Sequence, residues 1–563
     1  MNKNGFVEYL NTLHNLNANN QNAYTETNTT NEYFHKTMVT REVGNYIIDS
    51  LEKESPHILI LTGHAGDGKT GLLYQSLLHW KALTPLEHID GTGKFSLPNG
   101  KICSYIKDFS EIEQEKRLKL LNEKCNEVDN GQFVFLVANT GPLISSFIEI
   151  LTEAAYRKFI DAIDKNDGQI QSYDRKDNRK IEIAVINVAT VDNSIFIEPF
   201  LTNVLVDENW NTCALCEKRS ICPIINNREY VYKYFNQVVD FIVNHYVWQQ
   251  EHGKKLTIRQ IVAHLSFMLT GGKECHQIRN SSSAKFSYLF SNLFFGYEGV
   301  KQKKDALRIR AISDIVENHY DEKRIRADEK LFIREETLFE EEIDQMLRTL
   351  GNSRHFDEEW QKAVRRAYIM LRNDTDGQST EKLYQDVFSV KYPRFLLLRN
   401  DEQAKIKAQD RNLILDALQM LFTGVIERDK KEIDITMKSD ENLSQNVQIV
   451  YQSLDSRNIK IDKEQINDYC KKKRKRYQLY IKINETKLET KISLPMINYF
   501  EDIRNGIIPT NIDPQLSQGI NSLMAQIIAC CAKDKEVIDL RTMNTNGWTT
   551  LSVEYDDEVW KIR

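Results

Sequence analysis

The chain has few residues that break regular structure. Its 23 glycines and 10 prolines in 563 residues make about 6%, half of the ~12% found in an average globular protein. That scarcity excludes a collagenous, linker-rich or low-complexity chain, and with 28% charged residues it predicts a helix-rich protein. Cysteine is sparse too. Nine cysteines, an odd number, are no paired framework of a small secreted domain, so a reducing compartment is expected. No stretch approaches the ~18 consecutive apolar residues of a membrane span. The opening MNKNGFVEYLNTLHNLN lacks the basic and then apolar pattern of a secretory signal. The cytoplasm is therefore the expected location. Nor is there an excess of positive charge: 75 Lys and Arg against 81 Asp and Glu leave a net charge of −6. This excludes a protein that coats nucleic acid with its whole surface, though not one with a local basic patch.

What is present is enough apolar sequence, 41%, for two to four domains at ~150 residues each, with cores that need no cross-links. Residues 1–35, which include the Asn/Thr-rich LNANNQNAYTETNTTNEY at 15–32, read as an exposed polar arm. Thr40 is the expected cap of a helix that ends at Ser55-Pro56. Four short apolar runs read as buried parallel strands: Ile58–Leu61, Ile102–Ile106, Phe133–Ala138 and Ile183–Val188. Helical patterns fill the gaps, one of them over Pro142–Ile163, and the alternation predicts an α/β core over 36–225. Helices follow over 226–430. Over 431–563 the pattern predicts a small α+β domain, with a hairpin around Asn484-Glu485 and a turn at Asn546-Gly547.

Gly63-His64-Ala65-Gly66-Asp67-Gly68-Lys69-Thr70 fits G-x-x-x-x-G-K-[ST], with a strand predicted before it and a helix after. Glycines at this spacing let successive backbone N–H groups turn onto phosphate oxygens, and the helix N-terminus adds its dipole. Lys69 is placed for the β- and γ-phosphates and the Thr70 hydroxyl for Mg²⁺. ATP or GTP binding follows; hydrolysis does not follow from the loop alone. For hydrolysis, Asp108 and Glu111 stand just past strand 102–106, at the sheet edge where ligands bind, and Asn139 past strand 133–138 is placed to polarise a water. Asp192, after strand 183–188, is a second candidate acid. The alternative for Asp108 and Glu111 is a simple helix start, where acids favour the dipole. Arg259 opens the helix RQIVAHLSFMLTGG, where a cation opposes the dipole. A γ-phosphate contact from a lid would explain it, and an Arg in solvent is the alternative.

Cys213-x2-Cys216-x5-Cys222-Pro223 starts as a zinc knuckle would. A fourth ligand is not fixed by spacing; Cys275, His276, His245 and His252 are the candidates. An iron–sulfur cluster and three structural thiols are the other readings. Six cations in a row, Lys471-Lys472-Lys473-Arg474-Lys475-Arg476, followed by Tyr477 and Tyr480, suit a phosphate backbone of DNA without base readout. A solvated helix end suits them as well.

GHAGDGKT, KDFSE, VANTG, the C-x2-C-x5-CP segment, TIRQIVAHLSFMLTGG and LPMINYFEDIRNGIIP together resemble the DptF family of bacterial phosphorothioation-dependent restriction systems. The resemblance implies an AAA+-like ATPase that assembles with DptG- and DptH-like proteins, in several copies, against DNA lacking backbone sulfur. It carries Lys69 and Thr70, and less directly Asp108 and Asn139, into nucleotide chemistry. Where the family often has Asn-Glu-Gly, this chain has Asn139-Thr140-Gly141, which puts efficient hydrolysis in question. No H-x-H or carboxylate nuclease pattern stands out, so cleavage is expected from a partner. The alternative expectation is a scaffold or switch that holds ATP without turnover and acts on proteins.

Overall fold

Ile58–Leu61 carries four apolar residues in succession, and such a strand is stable only where both faces are covered. The computed structural model describes residues 3–14, 29–278, 283–350, 357–373, 380–427, 431–437, 447–466, 469, 475–507, 509–531, 537–544, 547–556 and 559–562. In it, β1 (Ile58–Thr62) is an inner strand of a six-stranded sheet. The others are β2 (Thr92–Ser96), β3 (Ile102–Ile106), β4 (Phe133–Val137), β5 (Gln171–Asp174) and β6 (Lys180–Asn187). Their order is β2-β3-β4-β1-β6-β5. The four central strands are parallel, with Ile60 in register with Leu136 on one side and Val185 on the other. All residues of β1 and β4 are buried. On one face Ile58, Ile60, Val134 and Leu136 pack with Leu121, Leu143, Phe147 and Phe159 from the crossover helices.

β2 and β5 close the two edges antiparallel and were not expected. Their sequences, TGKFS and QSYD, hold one large apolar residue each, and a short polar strand at an edge guards against further pairing. Three local expectations also change. Helix Glu42–Lys53 starts after Arg41 without a side-chain cap, so Thr40 is not its cap. Gln75 instead holds the Arg41 backbone, accepting from its N–H and donating to its C=O at 3.0 Å each. The helix expected over 142–163 is two, Thr140–Ile150 and Glu153–Lys165, parted where Thr152 caps the second. The arm expected over 1–35 contains a packed helix, Gly5–Thr12, capped by Asn4 and burying Phe6 and Leu10. Residues 15–28 lie outside the described ones.

The chain forms two compact units, the first mainly residues 1–387 and the second mainly residues 388–563. In the first, helices extend the α/β core. Arg366, on helix Glu358–Leu371, is fully buried. It is paired with Asp321, donates to Asn292 Oδ1 at 3.1 Å and Gly299 O at 3.0 Å, and stacks 4.0 Å from the Tyr297 ring centre. The second unit holds a five-stranded and a three-stranded sheet. The hairpin Tyr477–Ile483/Thr486–Ile492 turns on Asn484 and Glu485, both at positive φ (48° and 68°), as a tight right-twisted hairpin demands. Asn546 is outside the described residues. Its neighbours Asn544 and Gly547 pair across the expected turn. Among the described residues no helix is long and apolar enough to cross a membrane.

Helix Ile258–Thr270 runs through the first unit with His264 fully buried at its middle. Its ring bonds the Tyr246 hydroxyl and, at 2.8 Å, Phe294 O. Burial pulls this imidazole down to about 4, partly offset by the Phe294 bond. Between pH 6.5 and 4 the unfolded chain therefore binds a proton here that the folded chain does not. The stability this neutral ring contributes is complete above pH 6.5 and falls with pH, by about 1.4 kcal/mol per pH unit. In histidine-labelled protein the NMR signal of His264 should stay that of neutral imidazole at pH 5. An imidazolium signal from folded protein at that pH would contradict the assignment.

Candidate phosphate-binding site

The turn between β1 and helix Lys69–His79 needs glycine where it has it. Gly66 and Gly68 have φ of 90° and 77°, a region that penalises any Cβ. At Gly68 a Cβ would also lie 3.1 Å from Arg41 Nη1 and from Ile258 Cδ1. Asp67 is almost fully buried and accepts from the His64 N–H at 2.9 Å, closing the loop on itself. Arg41 Nη1 donates to Asp67 O at 2.9 Å. The Arg259 N–H donates to Gly66 O at 3.2 Å. Helix Ile258–Thr270 is thereby docked on the loop by its first turn, which Thr257 and Gln260 close as a capping box.

The Lys69 ammonium folds back over the loop. It donates to Gly63 O (3.1 Å), His64 O (2.8 Å) and Asn139 Oδ1 (2.9 Å). Burial lowers its pKa, Asp67 and Asp108 raise it, and Arg259 lowers it again. An anion arriving here would exchange these neutral acceptors for a charged one, the stronger partner.

A cavity of about 190 Å³ lies over the loop. Gly66, Gly68, Lys69 and Thr70 line it with Asp108, Glu111, Asn139 and Arg259. The structure thus brings together residues expected from four separate segments. The reason is the strand order: β4 lies between β1 and β3, so the carboxyl ends of all three open on one edge. Asp108 and Glu111 do not start the following helix, which begins at Gln114; Asp108 takes the N-cap position and Glu111 the end of a short 3-10 turn, Phe109–Glu111. Arg259 lines the cavity, and its Nε is buried with no hydrogen-bond partner among the described residues. Asp192 is not in the cavity lining. It is buried and accepts from the Ser194 N–H at 2.8 Å, closing the turn after β6.

Other lining residues escaped the sequence reading. Ser110 Oγ accepts from the Asn139 N–H at 2.6 Å and so sets the height of that residue. Lys107 adds a nearly buried cation whose Nζ is 3.9 Å from Asp108 Oδ2. Phe34 and Tyr74 supply apolar wall. Ser110 and Lys107 stood inside KDFSE, but the contact of Ser110 with Asn139 spans 29 residues and has no local sequence signal.

The cysteines converge as well. Cys213, Cys216, Cys222 and Cys275 all line a second, small cavity, which singles out Cys275 among the four candidates for the missing partner. His276 is engaged 3.0 Å from Glu274, and His245 is buried among Phe241, Phe294 and Tyr320. His252 does not line the cavity. Burial raises the Cys213 and Cys222 thiols above their ordinary range. Among the described residues, no three His, Cys, Asp or Glu side chains stand in a coordinating arrangement.

Of the basic run, residues 471–474 lie outside the described ones. Lys475 is paired with Glu402 at 2.9 Å. Arg476 is a correction: it is 4% exposed, not solvated. Its carbonyl accepts from the Ile466 N–H, extending the ladder of Ile459–Gln465 with Tyr477–Ile483. A larger cavity, about 940 Å³, lies in the second unit. Two of its charged lining residues, Arg394 and Asp410, are paired with each other at 3.1 Å, and it has no glycine loop. No protein family, curated protein or solved structure matches this chain.

Proposed function

We propose that the chain is an AAA+-like P-loop ATPase that binds Mg–ATP at Gly63–Thr70 and serves a bacterial restriction complex directed at DNA lacking phosphorothioates. The observation that carries the nucleotide reading is the loop itself. Its glycines hold left-handed backbone, Lys69 donates to Asn139, and Lys69, Asn139 and Arg259 line the cavity above it. In this reading Lys69 and the loop amides hold the β- and γ-phosphates and Thr70 holds Mg²⁺. Asp108, with Glu111 beside it, holds the metal's water shell, Asn139 orients the attacking water, and Arg259 meets the γ-phosphate. The restriction role rests on the resemblance to the DptF family. Strand cleavage would come from DptG- and DptH-like partners, and residues 471–475 are the segment for a DNA backbone contact.

One observation favours the second reading, a switch that binds ATP without turnover. Thr140 stands where the family often has an acid, and its hydroxyl is 3.1 Å from the Thr62 hydroxyl, leaving no carboxylate on that strand end. Turnover of Mg–ATP by the pure protein separates the two, with and without duplex DNA that carries or lacks phosphorothioates. Turnover stimulated by unmodified DNA supports the ATPase. Asp108→Asn should then cut turnover at least ~100-fold while ATP affinity stays within a few-fold. Tight binding with no turnover under any condition supports the switch. Absence of nucleotide binding would refute both.

A further inference from the structure

Beyond the nucleotide site, we propose that Cys213, Cys216, Cys222 and Cys275 form a tetrathiolate site for one structural Zn²⁺. The four are drawn from two segments more than fifty residues apart in sequence, and all line one cavity of about 30 Å³. That exceeds the roughly 10–15 Å³ that holds one water molecule, so an ion-sized guest has room. Cys213 and Cys216 form a tight knuckle, with the Cys216 N–H donating to Cys213 O at 3.2 Å. Cys222 stands at the N-terminus of helix Pro223–Lys233, where the dipole favours a thiolate.

A thiolate ligand is commonly fixed by an outer donor, and one is present. Asn4 Nδ2 donates to Cys213 Sγ at 3.2 Å and to Asn209 O at the same distance. Lys218 and Arg219 also line the cavity, so two cations stand beside a centre that would carry charge −2. Binding replaces four S–H bonds by four Zn–S bonds and releases up to four protons to solvent. No electron moves. The staggered χ1 wells of cysteine let each sulfur swing into the cavity to reach ~2.3 Å from the ion.

The test is metal analysis of the full chain, purified without chelator under reducing conditions, followed by exchange of the bound metal for Co²⁺. About one zinc per chain is expected, with a cobalt visible spectrum of four-sulfur tetrahedral type. Cys275→Ser and Cys216→Ser should each lose at least nine-tenths of the metal, and Cys531→Ser none. Should those variants fail to fold, the cobalt spectrum of the unaltered protein still decides, because a three-sulfur spectrum would exclude a site made of all four cysteines. Chain that neither contains zinc nor takes up Co²⁺ overturns the proposal. So do zinc retained by folded Cys275→Ser, or iron and sulfide in place of zinc. None of these results bears on ATP binding, which is measured separately.

Discussion

Lys69→Ala should weaken Mg–ATP binding by about 100-fold, because a charge-assisted contact to phosphate is worth up to about 3 kcal/mol. The ammonium has three acceptors around it, and none belongs to the hydrophobic core. The cost to folding should therefore be small, about that of one or two exposed hydrogen bonds. Lys69→Arg should not rescue binding, since a planar fork cannot reproduce a compact ammonium between the loop carbonyls and Asn139. Calorimetric titration checks the affinity, and circular dichroism with a melting curve checks the fold. Unchanged affinity in the folded variant would remove Lys69 from the site and with it the assignment of the loop.

The largest effect on stability should come from a pair that has nothing to do with nucleotide. Asp321→Ala leaves the fully buried Arg366 guanidinium with only the neutral acceptors Asn292 Oδ1 and Gly299 O and the Tyr297 ring. An uncompensated buried charge of this kind costs about 3–5 kcal/mol. The double variant Asp321→Ala/Arg366→Leu should recover most of that loss, because desolvation of the ions then disappears together with their attraction. Urea unfolding of the three proteins measures both numbers. A single variant that loses less than about 1 kcal/mol would mean that water reaches Arg366 and that the pair behaves like an exposed one.

The central strands were readable because each is covered on both faces, which forces the unbroken apolar runs of Ile58–Leu61 and Phe133–Val137. The edge strands Thr92–Ser96 and Gln171–Asp174 were not, since a strand with one neighbour needs no such run. Helix Gly5–Thr12 hid for a related reason. Its eight residues are short, and the polar segment after it dominates the local composition. The candidate site divides in the same way. The loop is a contiguous motif with a fixed backbone requirement, so its residues announce themselves. Arg41 and Ser110 act on partners 26 and 29 residues distant (Asp67 and Asn139), and Cys275 shares a cavity with Cys213, 62 residues away; those distances are closed only by the order of the strands and the path of the helices. For Asp192, position past a strand end does not tell which way the carboxylate turns. Here the Ser194 N–H, two residues on, holds it.

Helix Ile258–Thr270 has thirteen residues and so is about 20 Å long. Arg259 lies at one end of it, against the loop of residues 63–70, and beyond its Gly271 stop the chain reaches Cys275 within four residues. Its midpoint is pinned by His264 to Tyr246 and Phe294, so it cannot bend there without breaking buried hydrogen bonds. One helix thus borders the loop cavity through Arg259 and leads, past Gly271, into the turn whose Cys275 lines the cysteine cavity.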